Sequence, residues 1–264
     1  MKIIYGCYPS FFSRVIANKL IENNIPITHL MLSTKELKIE GNRINGLSGL
    51  KFIVKRFGYR YTLFQIFCGV LLPLLYSLKS FLSGKRYYSF EKLCAKNNIQ
   101  LIKSDSFNND IQQIESPDVF ISMCLNQKLS NKFFNQIKQL CINVHPSDIP
   151  NFGGVEPIIQ LLLSSELKMG ITIHKMTEKL DDGEPIMRQY IPIKDKSYLL
   201  LMLEFIEKGI EMLSILYRNN WTYKECEIPQ LRYPYRSWPT RDELKKFSTS
   251  HSYVKLKDIL NIHG

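Results

Sequence analysis

The sequence has few of the residues that cross-link small folds. Its six cysteines stand singly, without a C-x-x-C pair and without clustered Cys/His spacing. A disulfide scaffold needs a short, cysteine-dense chain, and a structural zinc site needs grouped ligands. We therefore expect no metal site, and free thiols that are mostly buried in a reducing, cytoplasmic setting.

Other compositional extremes are missing as well. Glycine (13) and proline (12) are close to average, and no repeat or low-complexity tract is visible, which excludes collagen-like and linker-dominated chains. A hydrophobic share of 45% and an aromatic share of 12% over 264 residues exclude a disordered chain and are enough for one large core. The opening Ile3-Ile4-Tyr5-Gly6 is too short for a signal peptide, and we expect a first strand there.

Acidic residues are in deficit. The chain has 35 Lys and Arg against 24 Asp and Glu, a formal net charge of +11. This surplus favours an anionic partner, such as a phosphate-bearing metabolite, a polyglutamate tail, an acidic membrane face or a nucleic acid. Composition alone does not choose among them.

One apolar run complicates the assignment of a soluble domain. Residues 61–78 are eighteen residues without a charge, the lower limit for a helix that crosses a bilayer. Polar residues and Pro73 interrupt the run, and strand-like segments flank it, which favours a lid or core helix over a span. Docking on a membrane surface through residues 51–83 stays open, since Lys51, Lys55, Arg56 and Arg60 directly precede the run.

Strand-like and helix-like patterns alternate along the chain and predict an open, mostly parallel α/β sheet. Such sheets bind ligands at the carboxyl ends of their strands, which places the chemistry just after Gly6, Met123 and Val144. Residues 33–60 read as basic and irregular. The predicted strands are 2–6, 26–32, 99–102, 118–123, 140–144, 171–176 and 186–193, and the main predicted helices are 11–21, 131–139, 198–217 and 242–247.

Three polar residues form the best candidate for chemistry. Asn143 and His145 alternate on one face at the end of the strand 140–144, and Asp181 follows thirty-six residues after His145. An amide that stabilises an oxyanion, an imidazole that moves a proton and a carboxylate that orients the imidazole together suit acyl transfer. The alternative is ordinary turn chemistry, since Asn, His and Asp-Asp-Gly are common at strand ends.

These residues belong to a longer ordered pattern. The pattern resembles the folate-dependent formyltransferases, which include glycinamide ribonucleotide transformylase, methionyl-tRNA formyltransferase and the sugar N-formyltransferases. The resemblance implies a Rossmann-like catalytic domain over residues 1–195 with a basic and apolar insertion at about 35–83. Residues 196–264 would be a C-terminal helix and a Tyr/Arg/Pro-rich arm. The motifs are Asn143-x-His145-Pro146-Ser147-x-x-Pro150, Gly154-x-x-Pro157, Gly170-Ile171-Thr172-Ile173-His174 and Leu180-Asp181-Asp182-Gly183-Glu184-Pro185-Ile186.

The same resemblance implies roles. The cosubstrate would be 10-formyltetrahydrofolate. Asn143 would donate to the formyl oxygen, His145 would stabilise the developing charge or relay a proton, and Asp181 would set the state of His145 and help to deprotonate the attacking amine. The pterin would lie against the segment Met123, Cys124, Leu125 and Asn126, largely through backbone. His174 reads as structural.

One departure from the family pattern concerns the substrate loop. Gly153 stands where the family often has an arginine, which puts the substrate contacts of that loop in doubt. The catalytic trio is unaffected.

The formyl acceptor is less constrained than the reaction. A primary amine on a nucleotide-linked sugar fits best, with Tyr233 and Trp238 of the arm as candidate substrate contacts. Tyr235 and Arg236 lie beside them in the sequence, and the four residues could stack on and pair with a nucleotide diphosphate. The alternative is that the arm packs back on the domain. A hydroxyornithine-type acceptor of siderophore synthesis is the second possibility.

A methionyl-tRNA formyltransferase-like protein is disfavoured, because only about seventy residues follow residue 195 and its tRNA-holding barrel would need more. A non-catalytic relative that binds a membrane surface or nucleic acid is the non-enzyme alternative. Nucleic acid is not expected as a partner, since no known nucleic-acid-binding module is visible.

Overall fold

We describe a computed structural model, which covers residues 1–84, 87–224 and 226–260. One seven-stranded sheet, in the order β5-β2-β1-β6-β7-β8-β9, forms the centre, and β3 and β4 pair separately as a hairpin. Five neighbouring strands run parallel, and β8 and β9 are antiparallel to their neighbours, so the predicted mostly parallel α/β fold is confirmed. The strands are β1 (Ile3–Cys7), β2 (His29–Ser33), β3 (Lys38–Ile39), β4 (Asn42–Arg43), β5 (Gln100–Ser104), β6 (Val119–Ser122), β7 (Leu140–His145), β8 (Lys168–Lys175) and β9 (Pro185–Pro192).

Helices cover the sheet and form the insertion between β2 and β5. A π-helical turn, Phe67–Leu71, joins α3 to α4, so that Tyr59–Leu82 is one continuous helix of 24 residues. A short 3-10 turn, Ile111–Gln113, follows α6. The helices are α1 (Phe11–Glu22), α2 (Gly46–Phe57), α3 (Tyr59–Ile66), α4 (Leu72–Leu82), α5 (Phe90–Asn97), α6 (Phe107–Asp110), α7 (Asn131–Phe134), α8 (Pro157–Leu162), α9 (Tyr198–Arg218), α10 (Arg241–Ser250) and α11 (Leu256–Leu260).

Local sequence explains why the main elements form. Every residue of β1 is buried, as expected for a strand covered on both faces, and its alternate side chains Tyr5 and Ile4 belong to two different core clusters. The hydroxyl of Ser10 caps α1. Thr240 and Glu243 form a reciprocal capping box at the start of α10, which satisfies two backbone N–H groups that the first turn leaves free.

The long helix α9 belongs to the same core as the sheet. Its apolar residues Leu199, Phe205 and Leu213 are fully or almost fully buried in the cluster that also contains Tyr5 and Met123. The segment predicted as a C-terminal helix therefore closes one face of the sheet and lies directly behind the strand ends.

Two sequence predictions are wrong. The helix predicted over 131–139 ends at Phe134, because the backbone N–H of Lys138 turns to the carbonyl of Pro117 (3.0 Å) and leads the chain into β7. The stretch 33–60, predicted as irregular, contains the hairpin β3–β4 and the helix α2. Among the described residues, Tyr59–Leu82 is the one helix that is long and apolar enough to cross a membrane, and a third of its most apolar window (33%) is buried within the protein.

Candidate functional site

A cleft opens at the carboxyl ends of β1, β6 and β7, where the sheet was predicted to bind its ligand. Its volume is about 430 Å³. Asn143, His145 and Asp181 all line it, together with the loop after β6 and residues of the C-terminal arm. Three residues that are far apart along the chain therefore meet at one side of the sheet.

The antiparallel pairing of β7 with β8 orients Asn143. The register places Asn143 opposite His174, and the amide nitrogen lies 3.2 Å from Nε2 of that ring. The other ring nitrogen, Nδ1, lies 2.8 Å from the carbonyl oxygen of Lys175. A carbonyl only accepts, so Nδ1 carries the proton and, in the neutral ring, Nε2 is an acceptor.

Burial lowers the pKa of His174, which keeps its ring neutral. Asn143 must then donate to it, and this fixes which way the amide faces. The second N–H of Asn143 is available to an oxygen in the cleft. His174, which the sequence identified as structural, thus acts as the group that positions the amide.

His145 lies between two acceptors. Its Nδ1 is 3.5 Å from Oδ1 of Asp181, and its Nε2 is 3.4 Å from the carbonyl oxygen of Phe152. The ring is buried, with 7% of its surface exposed. These are long contacts of the kind that shorten when substrate closes a site. The ring can donate to both neighbours at once only when it carries two protons.

Two unusual backbone conformations hold Asp181. Its own φ is 51°, and its Oδ2 accepts a hydrogen bond of 2.8 Å from the backbone N–H of Gly154. Gly154 has a φ of 107°, and a Cβ there would collide with the carbonyl oxygen of Arg236. Only glycine fits this point, where the arm bridges to the loop, so the family motif Gly-x-x-Pro has a physical basis.

The loop after β6 forms the opposite wall. Cys124 has a φ of 62°, and its carbonyl accepts from the N–H of Tyr8 (2.9 Å). Burial raises the pKa of the Cys124 thiol to about 12, so this thiol is not a nucleophile at neutral pH. Within the described part of the chain, the Oδ1 of Asn126 and the Oγ of Ser122 are buried without a hydrogen-bond partner, and both residues line the cleft. Leu125 lines it as well, whereas Met123 is buried in the core.

The two candidate substrate contacts of the arm lie differently. Trp238 lines the cleft and also packs against Phe57 of α2, with 5.5 Å between ring centroids. The ring of Tyr233 stacks on Phe152 at 4.2 Å and lies at another cavity. Tyr235, another aromatic residue of the arm, lines the same cleft as Trp238.

Tyr235 also lies next to Gly153. A Cβ on Gly153 would lie 3.3 Å from the Cβ of Asp181 and 3.5 Å from the ring of Tyr235. A side chain at position 153 would therefore be in contact with both Asp181 and the ring of Tyr235. Burial, and then the charge of Asp181, raise the pKa of Tyr235.

Sequence reasoning also missed a half-buried carboxylate at the back of the cleft. Glu156 has a φ of 55°, and its two oxygens accept hydrogen bonds from the hydroxyls of Tyr61 (2.5 Å) and Tyr198 (2.8 Å). Burial raises the pKa of Glu156. The contact joins α3 and α9 to the loop that carries Gly154. No motif signals it, because its partners come from separate parts of the chain.

Residues 85–202 match the family described as formyl transferase. This range contains Asn143, His145 and Asp181. This segment of the chain is therefore similar to the formyl transferase family.

Curated relatives of this domain include methionyl-tRNA formyltransferases. The protein from Clostridium acetobutylicum is 32% identical over 109 residues, which are 39% of this chain and 35% of that protein. The one from Coprothermobacter proteolyticus is 28% identical over 151 residues, which are 55% of this chain and 50% of that protein. The chain thus aligns with about a third to a half of the length of these relatives.

Solved structures share the fold. A sugar 3N-formyl transferase, crystallised in the presence of dTDP and 5-N-formyl-THF, has a TM-score of 0.55 and 17% identity, with 90% of this chain and 69% of that chain covered. The phosphoribosylglycinamide formyltransferase of Bacillus halodurans has a TM-score of 0.56 and 13% identity, with 87% and 100% covered. At these identities the likeness concerns the fold.

Proposed function

We propose that this protein transfers a formyl group from 10-formyltetrahydrofolate to a primary amine, namely the amine of a nucleotide-linked sugar. The observation that carries the proposal is the convergence of Asn143, His145 and Asp181 on one cleft beside the loop 122–127. An amide, an imidazole and a carboxylate at a strand-end cleft supply the groups that acyl transfer to an amine needs.

The cleft suits a folate. One wall is the loop with the unpartnered polar atoms of Ser122 and Asn126, which match the hydrogen-bonding edge of a pterin. The apolar side chains of Leu125, Met202 and Phe205 line the same space, as a flat ring requires. When bound, the cosubstrate supplies an activated formyl group.

The residues of the chain would act on that group as follows. Asn143, held by neutral His174, directs its free N–H at the formyl oxygen and stabilises the negative charge that develops there. His145 donates a second hydrogen bond to this oxygen or passes a proton to the leaving nitrogen. Asp181 accepts the proton that the attacking amine releases, and its Oδ1 faces Nδ1 of His145 and orients that ring.

The arm supports a sugar nucleotide as the acceptor. Tyr235 and Trp238 give the cleft two aromatic surfaces, on which a nucleobase or a sugar ring can stack. Lys179 lines the same cleft and pairs with Asp182 at 2.7 Å; a diphosphate could take the place of that carboxylate on the exposed ammonium group. The positive charge of the chain is then explained by two small anions, a polyglutamylated folate and a nucleotide diphosphate.

Methionyl-tRNA is the second candidate acceptor. The curated relatives named above are methionyl-tRNA formyltransferases, and a net charge of +11 would favour binding of a nucleic acid. An acceptor screen separates the two. The chain is incubated with 10-formyltetrahydrofolate and a panel of amino-sugar nucleotides, hydroxyornithine or methionyl-tRNA, and release of tetrahydrofolate is followed. We expect turnover with an amino-sugar nucleotide. Turnover with methionyl-tRNA alone would show that tRNA, and not a sugar nucleotide, is the acceptor. No turnover with any of these amines would refute the proposed function.

A further inference from the structure

The 24-residue helix Tyr59–Leu82 has a long apolar face that the rest of the described chain does not cover. Nine large apolar side chains project from it, spaced three or four residues apart with two adjacent pairs. They are 44% to 82% exposed and comprise Tyr59, Leu63, Ile66, Val70, Leu71, Leu74, Leu78, Phe81 and Leu82. A monomeric soluble protein rarely leaves a continuous apolar strip of this length in water, and such strips mark interaction surfaces.

The opposite face of this helix is fixed to the domain along its length. Tyr61, Phe64, Cys68, Leu72 and Tyr76 are all buried and belong to the main core cluster. To span a bilayer, this helix would have to leave the domain, and these five side chains would lose their contacts with the core. The helix is therefore arranged to lie along a surface, with one side on protein and the other side free.

Charge identifies the surface that the free face meets. Residues 41–90 contain eight of the 35 basic residues of the chain and none of its 24 acidic residues. On α2, exposed Lys51 and Lys55 alternate with exposed Leu47, Leu50 and Val54. Cations interleaved with exposed apolar residues are the signature of a helix that binds an anionic lipid surface.

We propose that the apolar face of Tyr59–Leu82 and the lysines of α2 dock this protein on an anionic lipid bilayer, with the helix parallel to the membrane plane. A second copy of the chain fits this face less well. Two copies would bring the exposed lysines Lys51 and Lys55 of both chains close together, and these charges repel each other. The inference is independent of which acceptor the cleft uses.

Vesicle flotation of the full chain tests the proposal. We expect the protein to float with vesicles of phosphatidylcholine containing phosphatidylglycerol, and to bind at least about tenfold more weakly to phosphatidylcholine alone. High salt should weaken the binding further, because it screens the lysines.

Two matched pairs of variants locate the contact. Leu63→Gln/Leu74→Gln/Leu78→Gln should lower binding by on the order of a hundredfold. The control Leu167→Gln/Leu231→Gln/Leu256→Gln changes three equally exposed leucines elsewhere and should bind like wild type. Lys51→Glu/Lys55→Glu should lose at least about tenfold on anionic vesicles, whereas Lys132→Glu/Lys138→Glu, with the same change in net charge, should not.

Several outcomes would overturn the proposal. One is a lack of flotation with anionic vesicles, and another is equal loss in the control variants. A protein that is dimeric without lipid and becomes monomeric in the triple-leucine variant would show that a second copy covers the face. Resistance of the bound protein to alkaline extraction would indicate a transmembrane helix instead. Circular dichroism of each variant confirms that the fold is intact.

Discussion

Replacing Asn143 by alanine separates the proposed catalytic role of this residue from its structural one. The side chain makes one described hydrogen bond, to Nε2 of His174 at 3.2 Å, and its second N–H faces the cleft. Alanine removes both. Loss of one donor to a developing oxyanion lowers kcat by about 10²–10³, or roughly 2.7–4 kcal/mol of barrier. The buried acceptor on His174 is left without a donor, which costs about 1–3 kcal/mol of folding stability.

The two effects are measured independently. Steady-state release of tetrahydrofolate gives kcat of the folded protein, and urea unfolding gives the stability. Asn143→Asp is the shape control, since it keeps the volume but places an acceptor where a donor is needed; its kcat should fall as far. If Asn143→Ala kept more than roughly a third of the wild-type kcat, the oxyanion role derived from the geometry would be refuted.

Three further predictions concern the walls of the cleft. Asp181→Asn should lower kcat by about 10²–10⁴, while Asp182→Asn, its exposed neighbour, should stay within about twofold; equal losses would remove the special role of Asp181. Gly154→Ala should cost at least about 2 kcal/mol of unfolding free energy in urea, because its φ is positive and a Cβ meets the backbone of Arg236; an unchanged urea midpoint would contradict this. Burial raises the pKa of Glu156 in the folded protein. The protonated form therefore stabilises the fold fully below the pKa that this residue has in the unfolded chain, and this contribution is lost as the pH rises through its pKa in the folded protein. Glu156→Gln cannot ionise, so its Tm relative to wild type should rise as pH increases above the usual glutamate range, and a constant difference would refute the assignment.

Much of the sheet was predictable from the sequence because each strand carries its own signal. The run of apolar residues at β1 and the alternation of apolar and polar residues along β8 identify these strands from the sequence alone. The helix α7 was predicted too long because Ile137 continues the apolar pattern, while the backbone there pairs with Pro117 and Asp118. The helix α2 was not predicted because basic residues interrupt its apolar pattern. In the structure this helix places the side chain of Phe57 in the core.

The site was predictable only where a motif carries it. Asn143 and His145 alternate on one strand, and Asp181 stands in a recognisable turn, so their shared location could be expected. The positions of Tyr235 and Glu156 depend on contacts between distant segments. The arm reaches the cleft because the N–H of Arg236 bonds to the carbonyl of Gly153 (2.9 Å), and no local pattern encodes that pairing.

The most direct test of the central claim compares the wild-type protein with Asp181→Asn in one assay. Both are incubated with 10-formyltetrahydrofolate and the best amine from the acceptor screen, and tetrahydrofolate and the formylated amine are quantified together. We predict that wild type forms the two products in equal amounts and that Asp181→Asn is slower by about 10²–10⁴. Tetrahydrofolate without a formylated amine, or equal rates for the two proteins, would contradict formyl transfer at this cleft.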